Sequence, residues 1–184
     1  LDKINAFVSD IRSLRKGYLT NFFLDRKKHS LWIEKGELFY VSFPDCYFLL
    51  HLTNSVNNLF FITTTSQQLA ENLKAFLPIF AEQMVVDIVG DAKIVDLKDV
   101  FVEQGFSVYE QLYRMNRIGT LEFKEIDTPN VCFAEDVDAQ VVLDMLHSYF
   151  DPLSEQLPSY EEILYFISRK SVLVYKEAGK VYGF

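Results

Sequence analysis

The side chains that could do chemistry in this chain are two groups of carboxylates, three histidines and two cysteines. Glu135, Asp136 and Asp138 stand close together, and Glu161 and Glu162 are adjacent. A carboxylate works as a general acid or base when burial or a neighbouring charge tunes it. Both groups fall where a helix should begin, and there capping and the helix dipole account for them without catalysis. His147 sits at helical spacing from Asp144, beside Met145 and Leu146, and reads as a surface or rim residue. His29, His51 and His147 are scattered, and none has the spacing to another His or to a Cys that a metal site requires. No G-x-S-x-G elbow or other nucleophile signature occurs. Cys46 and Cys132 lie in apolar, strand-like surroundings and read as buried free thiols of a cytoplasmic protein.

Phosphate chemistry needs a cradle of backbone N–H groups, which glycine-rich turns at helix N-termini supply. The seven glycines are Gly17, Gly36, Gly90, Gly105, Gly119, Gly179 and Gly183, and no two are spaced as G-x-G. Neither a P-loop nor a dinucleotide fingerprint is present. The net charge of −8 opposes nucleic-acid binding, which needs clustered Lys and Arg to neutralise phosphates. The one basic cluster, Arg26-Lys27-Lys28-His29, reads as a solvated loop. At 49% hydrophobic and 15% aromatic over 184 residues, the chain is rich enough to bury a real core. No apolar run reaches the roughly 18 residues of a membrane helix, so no membrane partner is expected.

The elements that must position these residues follow from periodicity. Leu1–Lys16 has helical spacing, with Gly17 as its stop, and Tyr18–Asp25 reads as a second short helix. Leu31–Glu34, Glu37–Phe43, Tyr47–Thr53 and Leu59–Thr63 read as an antiparallel meander, divided by turn-like Lys35-Gly36, Pro44-Asp45 and 54–58. Thr65 can cap a helix carrying Leu69, Leu73, Phe76 and Phe80, with Pro78 ending it. Met84–Val89 suits a buried strand, Leu97–Gln104 a helix stopped by Gly105, and Phe106–Arg117 a long strand. Residues 119–130 read as a linker. Beyond it come a strand Val131–Ala134, a helix capped by Asp136 or Asp138 with the stripe Val142, Met145, Leu146 and Tyr149, and a helix opened by the capping box Ser159…Glu162. Ser171–Tyr175 and Val181–Phe184 flank Glu177-Ala178-Gly179-Lys180 as a hairpin.

That closing order of strand, two helices and hairpin, together with V-Y-G-F at 181–184 and V-F-V-E-Q-G-F at 100–106, resembles GNAT-type acyl-CoA N-acyltransferases. The resemblance implies an α/β fold of the α+β mixed-sheet kind. It would have a degenerate GNAT-like domain over 1–118, a linker over 119–130, and over 131–184 the N-terminal half of a second GNAT-like domain. In that family a tyrosine four residues before the Gly of the second motif often serves as the general acid; Phe101 stands there and has no proton to give. The cofactor loop of the family, Q/R-x-x-G-x-G/A, has no counterpart. Its place in the first domain would be Phe61–Leu69, which lacks glycine, so plain capping by Thr65 is expected there rather than an anion site.

The activity implied is transfer of an acyl group from acyl-CoA to an amine, small molecule or peptide, by direct attack on the thioester. Acetyl-CoA would be the cofactor of the parent enzyme, with none expected on this chain. The family's acceptor pocket is lined by the segment between the first two helices. Here that places Phe150, Asp151, Glu155 and Tyr160, aromatic walls with carboxylates suited to an amine. A polar helix–helix loop is the plainer reading of the same stretch. The other class of function is a non-catalytic binding or interaction module that kept the fold. The start at Leu1 and the break after Phe184 are expected to be cuts in a longer protein. The edge of Val181–Phe184 should lack a partner in its own domain, and pairing with the first sheet or with another copy, in a homo-oligomer, would cover it.

Overall fold

A computed structural model describes residues 1–53, 56–80, 82–89, 94–112 and 129–184, with the side chains of 94 and 95 left out of account. The chain forms two compact units, Leu1–Val108 and Tyr109–Phe184. No helix among the described residues is long and apolar enough to cross a membrane.

The first unit is built on strands whose sequences are apolar almost without a break. The meander β2 (Leu38–Phe43), β3 (Cys46–His51) and β4 (Asn57–Thr63) pairs antiparallel throughout. Runs such as Phe48-Leu49-Leu50 and Leu59-Phe60-Phe61-Ile62 make sense only if both faces of the sheet are covered. They are. Phe48, Leu50, Leu59 and Phe61 pack against α3 (Ser66–Phe76) and Phe101 of α4 (Ile94–Glu103), while Leu49, Phe60 and Ile62 pack against α1 (Asp2–Ser13) and Trp32 of α2 (Arg26–Glu34).

The second edge of β4 is shared. Near its start, β5 (Met84–Val85) pairs parallel, Asn57 opposite Met84. Near its end, β1 (Leu19–Thr20) pairs antiparallel, Leu19 opposite Thr63. The expected helix over Tyr18–Asp25 is therefore an extended segment, because it supplies the hydrogen-bond partner that this edge of β4 needs. The expected strand Leu31–Glu34 is also corrected. It is the last part of α2, which Asp25 opens by accepting from the N–H groups of Lys27 and Lys28, so the basic cluster begins a helix rather than forming a loop. Met84–Val89 shrinks to the two residues of β5. Residues 106–112 contain no strand, and the rest of the expected strand Phe106–Arg117 lies outside the described residues, as do 119–128 of the expected linker.

The second unit runs β6 (Val131–Phe133), a 3-10 turn Asp136–Asp138, α5 (Ala139–Tyr149), α6 (Tyr160–Ser168), β7 (Leu173–Glu177) and β8 (Lys180–Gly183). Its sheet order is β6-β7-β8, antiparallel throughout. The two-residue connection Ala178-Gly179 has positive φ at both positions, 48° and 79°, the backbone of a type I′ hairpin turn. One face of the sheet packs through Val174 and Val181 against Ala139, Val142, Ile163 and Ile167 of the two helices. Val142 of the expected stripe of α5 is buried, together with Ala139, whereas Tyr149, also expected there, is 77% exposed. The capping box forms as expected, Ser159 Oγ accepting from Glu162 N–H and Glu162 Oε2 accepting from Ser159 N–H at 2.8 Å.

Candidate functional site

Two places could hold a ligand on sequence grounds: the β4–α3 junction and the α5–α6 loop. At the first, the hydroxyls of Thr63 and Thr65 are used by the fold. Thr63, fully buried, donates to the carbonyl of Asp45 at 3.0 Å, and Thr65 Oγ1 accepts from Gln68 N–H at 3.1 Å as the N-cap of α3. The chain also closes over this turn. Gly17, at φ +125°, brings its backbone so near Thr64 that a Cβ there would stand 2.4 Å from the Thr64 carbonyl oxygen.

Four residues on, Asn21 bridges the fork between β1 and β5. Its amide donates to the carbonyls of Leu59 and Asp87, both at 3.1 Å, and its Oδ1 accepts from Phe61 N–H at 2.7 Å. A buried backbone group left alone at a sheet fork costs about 1–3 kcal/mol, and one side chain here satisfies two buried groups and the half-buried Asp87 carbonyl. No glycine lies within 61–69 to cradle a pyrophosphate, and the Thr63 and Thr65 hydroxyls and the Phe61 N–H are engaged within the fold. Phe101, where the resemblance would place an acid, is a core residue 3% exposed, its ring 5.9 Å from Phe61 and 5.2 Å from Phe106.

At the α5–α6 loop the structure places Phe150 as the C-cap of α5, 42% exposed, and Tyr160 as the first residue of α6, 39% exposed. Asp151 and Glu155 share one turn, Glu155 N–H donating to the Asp151 carbonyl at 2.9 Å. The Asp151 carboxylate accepts from Leu153 N–H at 2.9 Å and from the Tyr109 hydroxyl at 2.5 Å. Those bonds, the Tyr109 one foremost, favour its ionised form and hold its pKa below the usual carboxylate range. Tyr109, which sequence reasoning did not connect to this loop, is pushed the other way by the same bond. No spacing signal could have found that pair, since 42 positions separate the residues.

Beside the loop lies an apolar groove of about 340 Å³, lined by Val142, Leu146, Pro158, Ile163, Phe166 and Phe184 among others. None of the four expected acceptor residues lines it. Of the other carboxylates, Asp138 accepts from Glu135 N–H at 2.8 Å and pairs with Lys176 at 2.7 Å, and Glu162 serves the capping box. No cluster of metal-ligating residues occurs among the described residues. Cys46 is buried, but Cys132 is exposed, correcting the expectation for that thiol: β6 is an edge strand, and its one described partner is β7. No protein-family model, curated protein or solved structure matches the chain.

Proposed function

We propose that this chain is the acceptor-side part of a GNAT-type acyl-CoA N-acyltransferase, with a degenerate, structural first domain and an amine site at the α5–α6 loop. The observation that carries the reading is the second unit's layout. A strand, two helices and an antiparallel hairpin in the order β6-β7-β8 put an exposed, ionised carboxylate between the two helices. Asp151 holds a protonated amine by charge, with Glu155 in the same turn adding a second carboxylate; Phe150 and Tyr160 bracket the turn with apolar surface. We place the acyl-CoA away from the β4–α3 junction, which lacks a glycine cradle and uses its Thr63 and Thr65 hydroxyls within the fold. The setting we propose is the cytoplasm, where two free thiols persist.

A second reading, a non-catalytic interaction module, is favoured by the Asn21 bridge and the buried Phe101, which remove the means of catalysis from the first unit. Calorimetric titration of the chain with spermidine separates the two. The enzyme reading expects saturable binding that weakens at least about tenfold in Asp151→Asn, the loss of one charged contact. Absence of binding in the wild type, or equal binding in the variant, favours the module.

A further inference from the structure

The start of α2 holds a histidine whose hydrogen bond works in only one protonation state. Asp25 donates its backbone N–H to Nδ1 of His29 at 3.0 Å, while its carboxylate Oδ1 accepts from Lys27 and Lys28 N–H at 2.9 Å each. A backbone N–H can only donate, so Nδ1 must be a bare lone pair and the ring proton must sit on Nε2. The imidazole is 4% exposed, wedged with its centroid 4.4 Å from the Phe22 ring and 4.7 Å from Trp32. The titratable and charged groups around it are Asp25 and Lys28 at the start of its own helix and His51 on β3. His51 stacks on Trp32 at 3.7 Å and lies 3.3 Å from Glu37 Oε2.

We infer that His29 is an acid-sensitive latch: its bare Nδ1 ties Asp25, and with it the segment Phe22–Asp25, to α2, and a proton taken from water onto Nδ1 opens that segment. Once protonated, Nδ1–H faces the Asp25 N–H, donor against donor, and a cation stands among aromatic rings beside Lys28. The Asp25 carboxylate offsets part of this. Burial outweighs it, with Lys28 adding to the effect, and the ring's pKa is pushed down from 6.5 to about 4.

The sign follows from linkage. The closed form binds the proton more weakly than the open form, so the latch is fully held above pH 6.5 and weakens as pH falls towards 4. The segment it releases continues directly from Asn21, the residue that bridges the β4 fork. Acid therefore loosens the covering of that edge from the α2 side.

Amide exchange of the full chain by NMR, corrected for intrinsic rates, tests this. The Asp25 amide is expected to lose protection about tenfold per pH unit below 6.5, while β3 and β4 amides stay protected. In His29→Asn, whose Oδ1 is an acceptor that does not titrate, the Asp25 protection becomes flat with pH; in His51→Gln the dependence persists. Flat protection in the wild type, a dependence surviving in His29→Asn, or its loss in His51→Gln overturns the latch. Should His29→Asn not fold, imidazole ¹⁵N shifts of the wild type decide: a bare Nδ1 at neutral pH supports it, and an Nδ1–H tautomer overturns it.

Discussion

Gly17 and Asn21 carry more of the first unit's architecture than their size suggests. Gly17 has a backbone conformation that L side chains rarely adopt, and its only room for a Cβ is occupied by the Thr64 carbonyl oxygen. Gly17→Ala should lower stability by about 2 kcal/mol or more, since strain and a backbone clash add; a urea midpoint equal to wild type contradicts the close approach. Asn21→Ala strands two buried backbone groups and a half-buried one and should cost about 2–4 kcal/mol by the same measurement, more than a typical surface change. The thiols separate by burial. Desolvation pushes Cys46 up to about 12, against a weaker opposing bond with Thr63, so it stays protonated and inert. Iodoacetamide at mildly alkaline pH should therefore label Cys132 and spare Cys46 in the native chain, read by peptide mass.

At the scale of elements, Ser159 makes the second helix of the C-terminal unit start where it does. Ser159→Ala should cost about 1 kcal/mol, as loss of an N-cap does, with Glu162 still holding the Ser159 position's N–H; an unchanged thermal midpoint argues that the cap contributes nothing. This element was legible in the sequence because caps act over three residues and amphipathic stripes repeat every turn. So were α1, α3, the β2–β4 meander and the β7–β8 hairpin. Segments whose state is decided by distant partners were not. Tyr18–Asp25 is apolar and ambiguous as a sequence, and its Leu19–Thr20 is drawn out by β4. Leu31-Trp32-Ile33 looks like a strand, yet Asp25 starts a helix ahead of it and Trp32 completes the stack on His51. At the candidate site, the carboxylate and its aromatic neighbours could be named from the resemblance. The Tyr109 bond and the closure of the β4–α3 turn could not, because both join residues more than forty positions apart.

At the scale of the molecule, the proposal assigns the two units different roles. The first is a sheet covered on both faces, with Gly17 packed against Thr64 at the β4–α3 turn; the second exposes a carboxylate in the loop between its two helices. The central claim is that this chain holds the acceptor amine and not the acyl-CoA. Amide spectra of the full chain, recorded with spermidine and separately with acetyl-CoA, test it most directly. Spermidine should shift the amides of 150–160 saturably, and acetyl-CoA should leave those of 17–21 and 61–69 where they are. Saturable shifts at 17–21 and 61–69 with acetyl-CoA, or an unmoved 150–160 loop with spermidine, would contradict the account.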